Sequence, residues 1–236
     1  MTPTLATSCA ALPPEGANFP RGGPSGNCAP TLATACAALP PEGANFPRGG
    51  PSGNCLVAGL SFPPELLLKA QGVRVAFFDV DGVLTDGGLY FSEQGETLKR
   101  FNALDGHGLK LLQRAGITPV VITGRDSAPL RFRLLALGIE NAHFGVESKR
   151  PAAEQSLANL GLTWSQAAAI GDDWPDLPVM TRSAFACAPS NAHPEAKARA
   201  HFITLAAGGA GAAREFCDLL LVASGQYASL LAECTQ

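Results

Sequence analysis

The residues of this sequence that could do chemistry are polar side chains, each placed after a short apolar run. Two carboxylates stand two positions apart, a Thr-Gly-Arg segment and a lysine follow further along, and a second carboxylate pair comes after a glycine. Together they supply four carboxylates, one hydroxyl and one ammonium: Asp79, Asp81, Thr123, Lys149, Asp172 and Asp173. Phosphoryl transfer needs such a set, because it uses a nucleophile, a hard cation held by oxygen atoms, and donors for the phosphate oxygens.

The spacing of Asp79 and Asp81 suggests how the two carboxylates divide the reaction. On an extended strand, residues i and i+2 face the same side, so both point into one pocket as the chain leaves the sheet. One can attack phosphorus, while the other protonates the leaving oxygen and later takes a proton from water. Carboxylates held this close raise one another's pKa, and a magnesium ion relieves their repulsion and bridges the nucleophile to the phosphate.

The remaining polar residues fit supporting roles. Asp172 is expected to be a magnesium ligand, and Asp173 a further ligand or a residue that supports one. Thr123 and Lys149 are expected to hold oxygens of the transferring group. Asp176, one helical turn beyond Asp172, either faces the pocket or complements a helix dipole, and both roles stay open at this point.

Apolar runs alternate with amphipathic segments from about residue 60 onward, and these give the elements that must position the polar residues. Strands are predicted at 73–78, 118–122, 143–144, 167–170, 184–188 and 202–204. Helices are predicted at 105–115, from a cap at Asp126 to Gly138, from a cap at Ser148 to Gly161, and at 211–224. A hairpin is predicted at 84–101. This alternation predicts an α/β fold with a doubly wound parallel sheet, whose ligands bind at the carboxyl ends of the strands.

A duplicated segment precedes these elements. Residues 3–28 recur at 30–55, and the only change is Ser8 against Ala35. The segment is rich in Pro, Gly, Ala and Asn and has no amphipathic period, so it cannot bury enough apolar surface to offset its chain entropy. We therefore expect three parts, a largely disordered leader, a catalytic domain and a C-terminal tail, at residues 1–56, 57–226 and 227–236.

Composition excludes several classes of function. The formal net charge is −3, which offers no basic face for nucleic acid. No run of about 18 uncharged apolar residues is present, so no membrane span is expected and a cytoplasmic location is the default. The seven cysteines fit no zinc-binding spacing, so we expect reduced thiols without chemistry. The sequence indicates no cofactor beyond a divalent cation.

Residues 79–87 resemble the first motif of the haloacid dehalogenase superfamily of phosphatases. Residues 122–125, Lys149 and residues 171–173 resemble its second, third and fourth motifs, in the same order. The chain is also similar to one family of that superfamily, the phosphatases of 3-deoxy-D-manno-octulosonate 8-phosphate in lipopolysaccharide synthesis. That closer similarity lies in residues 101–108, 192–194 and 208–215. The resemblance covers nearly the whole compact part of the chain and does not include the leader.

This resemblance implies that Asp79 is the nucleophile and Asp81 the acid and base. It implies a magnesium ion held by Asp79, by the backbone carbonyl of Asp81 and by Asp172. The superfamily core is expected without a large cap domain, and the hairpin at 84–101 is expected to be a flap that packs between the subunits of a homotetramer. Neighbouring subunits would then help to close the pocket and select the sugar.

Five further residues are candidates for binding the substrate: Asn102, Gly124, Arg125, Arg133 and Arg214. Each of the three arginines could bind a carboxylate or a phosphate through two hydrogen bonds. An ordinary surface role fits Arg133 equally well. Ala210 departs from the family pattern, in which a charged residue often stands at this position, so a candidate contact to the sugar is missing.

The sequence therefore predicts a magnesium-dependent phosphatase for a sugar-acid phosphate, foremost 3-deoxy-D-manno-octulosonate 8-phosphate. A phosphatase for another sugar-acid phosphate, such as a sialic-acid phosphate, is the alternative among enzymes. A non-catalytic assembly module of the same fold is disfavoured, because every expected catalytic position is filled. A signalling receiver is disfavoured because its phosphorylated aspartate would follow the third strand, where this chain has His143, Phe144 and Gly145.

Overall fold

A computed structural model describes residues 60–235, and the leader expected at 1–56 lies outside the described residues. Six strands form the central sheet: β1 (Val75–Phe78), β4 (Thr118–Ile122), β5 (Ala142–His143), β6 (Ala167–Ile170), β7 (Phe185–Ala188) and β8 (Phe202–Ile203). Two more, β2 (Tyr90–Ser92) and β3 (Gly95–Leu98), form a separate antiparallel hairpin. All six sheet strands lie where the sequence predicted them, and β4 and β6 have the predicted bounds.

The order of the strands explains where the polar residues meet. The order is β5-β4-β1-β6-β7-β8, and all neighbouring pairs are parallel. From β1 the chain first adds strands on one side, β4 and then β5, and afterwards adds β6, β7 and β8 on the other. The carboxyl ends of β1, β4 and β6 therefore meet at a topological switch point, where open α/β sheets bind their ligands.

Helices cover both faces of the sheet. Their bounds are α1 (Pro64–Ala70), α2 (Ala103–Arg114), α3 (Ala128–Leu137), α4 (Lys149–Leu160), α5 (Leu177–Met180), α6 (Pro194–Lys197), α7 (Ala212–Ala223) and α8 (Tyr227–Cys234). Alternate residues of β1 enter two separate cores. Val75 and Phe77 pack in the core formed with α4, α5 and α6, while Ala76 and Phe78 pack in the core formed with α1, α2, α3, α7 and α8. This arrangement confirms the predicted doubly wound α/β fold.

Aromatic packing fixes α7 under the strand that leads to the site. Phe216 of α7 is fully buried and lies edge-on to Phe78, with ring centroids 5.5 Å apart. It also stacks on Phe185 of β7, at 6.4 Å. Replacing one such buried ring by alanine typically costs about 3–5 kcal/mol of folding free energy. Packing against α7 thus fixes β1, the strand that directly precedes Asp79.

The helix termini differ from the predictions at two caps. Ser127, and not Asp126, is the residue that precedes α3, and the Asp126 carboxylate instead binds the Arg131 guanidinium through two contacts of 2.7 Å. Ser148 does precede α4, but its side chain makes no capping hydrogen bond. Gly138 and Gly161 end their helices in the left-handed conformation, as predicted.

The hairpin is the only structure that the described chain places between β1 and α2, so no large cap domain is present there. Its register shifts between Tyr90 and Phe91. Several of its large apolar side chains are exposed, among them Phe91 and Leu98 at 64% each. The hairpin is therefore much less packed than the sheet from which it rises.

The C-terminal residues predicted as a tail form α8 instead, which runs to Cys234. Leu230 is buried and Tyr227 packs against the same core as α7, so an apolar helical face outweighed the short length of the segment. Among residues 60–235, none of the helices combines the length and apolar character that crossing a membrane requires.

Candidate active site

Three buried charged residues, Asp79, Lys149 and Asp176, form a corner of the site at the carboxyl ends of β1 and β6. Asp79 follows β1 directly, and its backbone N–H donates to the carbonyl of Ile170 at the end of β6. Lys149, the first residue of α4, forms ion pairs with Asp79 and with Asp176, whose Oδ1 lies 2.7 Å from the lysine Nζ. The three residues are only 8%, 6% and 5% exposed. Charged groups buried this deeply must be paired, so the lysine fixes both carboxylates.

Burial dominates the electrostatics of this corner. It raises the pKa of Asp79 well above the ordinary value, and the charge of Asp176 raises it further, while Lys149 opposes both effects. The pKa of Asp172 is raised to about 6, again first by burial and then by Asp176. For Lys149, burial alone would lower the pKa, but the two neighbouring carboxylates outweigh it and the pKa is raised. The corner thus carries more negative charge than one ammonium balances.

A divalent cation fits this donor set. One oxygen each of Asp79, Asp172 and Asp176 lie within 4.8 Å of one another, and carboxylate oxygens are the ligands that magnesium prefers. Asp176 is already engaged, because its Oδ2 accepts the backbone N–H groups of Asp172 at 3.1 Å and Asp173 at 3.3 Å. The predicted ligands Asp79 and Asp172 both belong to this group, their assignment stays a prediction, and Asp176 holds the backbone at Asp172. Asp176 thus faces the cavity and also lies in the first turn of a short helix, so it combines both of the roles that the sequence left open.

Asp81 and Asp173 do not place their side chains in that carboxylate group. Asp173 is exposed and belongs to the turn that Asp176 organises. The family resemblance implies that Asp81 contributes its backbone carbonyl to the metal. Its side chain pairs with Lys99 instead of joining the carboxylate group. Both assignments as magnesium ligands stay predictions.

The turn after β1 is shaped by Thr85 and by a close approach of backbone. The Thr85 Oγ1 accepts the N–H groups of Gly82 and Gly87, at 3.4 and 3.3 Å, and donates to the carbonyl of Val80. At Gly82, where φ is +96°, a Cβ would lie 2.1 Å from Oδ2 of Asp172. Only glycine lets this turn pass so near the second carboxylate of the metal group.

An open cavity of about 350 Å³ lies over this corner, and most of the predicted site residues line it. Its lining includes all six of the chemistry-bearing side chains and two of the predicted substrate contacts: Asp79, Asp81, Thr123, Lys149, Asp172, Asp173, Gly124 and Arg125. Thr123 is 1% exposed, and its Oγ1 accepts the backbone N–H of Arg125 at 3.2 Å. The cavity walls also include Asp176, Val146, Glu147 and Pro175. The four motifs of the sequence therefore meet in one place.

Asp81 is held by a residue that the sequence analysis missed. Lys99, just after β3, forms an ion pair with Oδ1 of Asp81, and Arg125 Nε lies 3.6 Å from Oδ2. Lys99 also lies 2.5 Å from a carboxylate oxygen of Glu96. The lysine side chain is 1% exposed. The sequence offers little sign of this contact, because the path of an irregular hairpin decides where the lysine points.

Three predicted substrate contacts lie away from the cavity of their own chain. Asn102 caps α2, with its Oδ1 accepting the Leu104 N–H at 2.8 Å. Arg133 donates to the Asn102 carbonyl at 3.2 Å and lies over the Phe101 ring. Arg214 pairs with Asp218 at 2.8 Å. Within one chain, their contacts are structural.

The glycine-rich stretch before α7 packs against the turn that follows Asp79. Gly209 donates its N–H to the carbonyl of Val83 at 2.9 Å. A Cβ at Gly208 would lie 1.7 Å from the carbonyl oxygen of Gly82. Ala210 is exposed. The two glycines therefore shape the catalytic turn, whereas Ala210 takes no part in that packing.

Comparisons with known proteins agree with this geometry. A profile of haloacid dehalogenase-like hydrolases matches residues 145–216. The chain is 40% identical to 3-deoxy-D-manno-octulosonate 8-phosphate phosphatase of Salmonella typhimurium over 163 residues, which cover 69% of this chain and 87% of the relative. A probable YrbI family phosphatase from Pseudomonas syringae superposes with a TM-score of 0.72 at 44% identity, over 74% of this chain and 99% of that one.

A further crystal structure shows ligands in a related protein. It is the 3-deoxy-D-manno-octulosonate 8-phosphate phosphatase of Moraxella catarrhalis, in complex with a magnesium ion, a phosphate ion and a KDO molecule. It superposes with a TM-score of 0.69 at 36% identity, over 72% of this chain and 97% of that one. The comparisons confirm the resemblance to haloacid dehalogenase phosphatases, and they confirm the prediction that this chain is a phosphoric monoester hydrolase. A phosphatase of this family is not a signalling receiver, so that hypothesis is wrong. The chain belongs to the 3-deoxy-D-manno-octulosonate 8-phosphate phosphatase family of haloacid dehalogenase-like hydrolases.

Proposed function

We propose that this protein is a magnesium-dependent phosphatase that hydrolyses 3-deoxy-D-manno-octulosonate 8-phosphate through an aspartyl-phosphate on Asp79. The observation that carries the proposal is the shared cavity. Asp79, Asp81, Thr123 and Lys149 line it together with Asp172. A nucleophile, an acid, two groups for phosphate oxygens and a metal-binding carboxylate thus face one volume large enough for a small sugar phosphate.

In the first step, an oxygen of Asp79 attacks phosphorus and the bond from phosphorus to the sugar oxygen breaks. Asp81 gives its proton to that leaving oxygen. The Lys149 ammonium, the Thr123 hydroxyl and the Gly124 N–H hold the phosphate oxygens, whose charge they stabilise in the transition state. Magnesium, when held by Asp79 and Asp172, neutralises the repulsion between carboxylates and phosphate.

In the second step, water attacks phosphorus and the bond between phosphorus and Asp79 breaks. Asp81, now a carboxylate, takes a proton from that water. The products are the free sugar acid and inorganic phosphate, and both aspartates return to their starting states. Asp81 must therefore reach the oxygen on the side of the leaving group in both steps.

Arg125 is the arginine best placed to contact the substrate, because it lines the cavity beside Asp81. Its guanidinium can bind a carboxylate or a hydroxyl of the sugar acid. Asn102, Arg133 and Arg214 have structural contacts in their own chain, so we assign them a lower place among substrate contacts.

We also propose a homotetramer in which the hairpin lies against a neighbouring copy. The hairpin exposes Tyr90, Phe91 and Leu98, and large apolar side chains grouped on a small protruding element favour burial against a partner. The cavity is open above Asp81, and no cap domain of the described chain covers it. A neighbouring copy would supply that cover and contacts to the sugar. A cytoplasmic location stays a prediction.

Release of inorganic phosphate from a panel of sugar phosphates tests the function. The full chain is assayed with and without magnesium on 3-deoxy-D-manno-octulosonate 8-phosphate, a sialic-acid phosphate and hexose phosphates, with Asp79→Asn as the inactive control. We expect magnesium-dependent release with strong preference for the first compound. Preference for the sialic-acid phosphate would show that the proposed substrate is wrong but that the proposed reaction is right. If a folded protein released no phosphate from any of these compounds, only the hypothesis of a non-catalytic assembly module would remain.

A further inference from the structure

We propose that Lys99 is a positioning residue for this reaction, holding the Asp81 carboxyl group in the orientation in which its protonated form delivers a proton to the sugar oxygen. This inference rests on the proposed function, since it assigns a role within the same site. Lys99 directly follows the last strand of the hairpin, and the residues on which the family resemblance rests do not include it.

The contacts of Lys99 converge on Asp81. Its side chain is 1% exposed, although it stands beside an exposed hairpin, and it forms an ion pair with Oδ1 of Asp81. Glu96, at 11% side-chain exposure, lies 2.5 Å from the same ammonium. A lysine buried between two carboxylates has few alternative rotamers, because any other position would leave a desolvated charge without a partner.

This anchor separates the two oxygens of Asp81. Lys99 holds Oδ1, whereas Oδ2 lies 3.6 Å from the Arg125 guanidinium on the cavity wall. Asp81 is 21% exposed, in contrast to the buried Asp79, so packing alone fixes it less well. With Oδ1 held, Oδ2 is the oxygen that gives its proton to the leaving alkoxide and later takes one from water. Proton transfer depends on such placement, and an error of about 1 Å can cost about 100-fold in rate.

The chemical consequence depends on the leaving group. A sugar alkoxide is a strong base, so breaking its bond to phosphorus requires protonation by Asp81. A p-nitrophenolate leaves readily without a proton. If Lys99 acts through Asp81, its loss slows cleavage of the sugar phosphate selectively. If it only supports the fold, its loss slows cleavage of both substrates alike.

The experiment compares first-turnover rate constants at saturating substrate for the full chain with magnesium. The substrates are 3-deoxy-D-manno-octulosonate 8-phosphate and p-nitrophenyl phosphate, and the variants are Lys99→Met and Lys99→Arg. Lys110→Met is the matched control, because Lys110 is an exposed lysine on α2. We expect Lys99→Met to slow sugar-phosphate cleavage by at least about 100-fold and to leave nitrophenyl cleavage nearly unchanged. Lys99→Arg should recover part of the loss, and Lys110→Met should match the parent chain.

Equal losses on both substrates, or no loss on either, would overturn the role of Lys99. If Lys99→Met does not fold, the same comparison with Glu96→Gln tests the proposal. This substitution weakens the contact that holds the Lys99 ammonium without removing the lysine. The proposed function fails separately: the parent chain would then not cleave the sugar phosphate at all.

Discussion

The two halves of the active site are built in different ways. The sheet half consists of Asp79, Thr123, Lys149, Asp172 and Asp176, which follow strands or begin the segments after them. The hairpin half consists of Asp81, Lys99 and Glu96. In the sheet half, a buried lysine pairs with Asp79 and Asp176, and Asp176 in turn accepts the backbone N–H of Asp172. In the hairpin half, one lysine from a weakly packed element fixes the carboxylate that moves protons.

This difference separates two requirements of phosphoryl transfer. The attack on phosphorus and the binding of a cation depend on groups with little freedom, and burial supplies that rigidity at the cost of raised pKa values at Asp79 and Asp172. Proton transfer to the leaving sugar depends on an element that, in the proposed homotetramer, also lies against a neighbouring copy. The hairpin half can therefore respond to assembly, whereas the sheet half is complete in a single chain.

The largest expected effect separates the two acidic residues after β6. Asp172→Ala should weaken the binding of magnesium by more than about 100-fold, because Asp172 is half-buried and belongs to the carboxylate group with Asp79 and Asp176. Asp173→Ala, at an exposed position, should weaken it by less than about tenfold. Magnesium titration of phosphate release and calorimetric titration of the apo protein measure both. Equal losses would place Asp173 among the ligands and contradict its exclusion from the sheet half.

A second variant tests how firmly the sheet half depends on close backbone packing. Gly208→Ala would place a methyl group 1.7 Å from the carbonyl oxygen of Gly82, so the turn after Asp79 must shift. We expect about a 100-fold loss of kcat, since a displacement of about 1 Å has that consequence. Gly72→Ala is the control, because nothing lies within 4 Å of its Cβ. A Gly208→Ala enzyme as active as Gly72→Ala would show that the turn adapts without loss.

The smallest effect on stability is expected in the hairpin. Phe91→Ser removes an exposed ring, so the free energy of unfolding of the single chain should change by no more than about 0.5 kcal/mol. The variant should nevertheless lose the tetramer, as measured by light scattering. Leu68→Ser, at a similarly exposed position on α1, should keep it. A Phe91→Ser protein that stays fully assembled would refute the proposed contact between hairpin and neighbour.

Much of the sheet half could be predicted from the sequence. Strands buried on both faces are continuous apolar runs, and parallel topology sends their carboxyl ends to one edge. The bounds of β4 and β6 follow directly, and Asp79, Thr123 and Asp172 come next to strand ends. The ion pair of Lys149 with Asp176 needed the structure, because it depends on how α4 and the turn after β6 approach one another.

The hairpin half and several helix ends could not be predicted in the same way. Lys99 meets Asp81 across a hairpin whose register shifts between Tyr90 and Phe91, and no periodic pattern in the sequence encodes such a contact. Asp126 has the residue type of a cap, but the nearby Arg131 competes for its carboxylate. Helix α8 is short, and its packing against the core decides its structure more than its propensity does.

The proposed mechanism requires a covalent intermediate on Asp79. The test is an acid quench of the full chain during turnover of 3-deoxy-D-manno-octulosonate 8-phosphate labelled in the phosphate, followed by peptide mapping. We expect label that is stable to acid, released by hydroxylamine, located on the peptide that contains Asp79, and absent from Asp79→Asn. Label on another residue, or rapid phosphate release with no labelled protein in the quench, would contradict the mechanism.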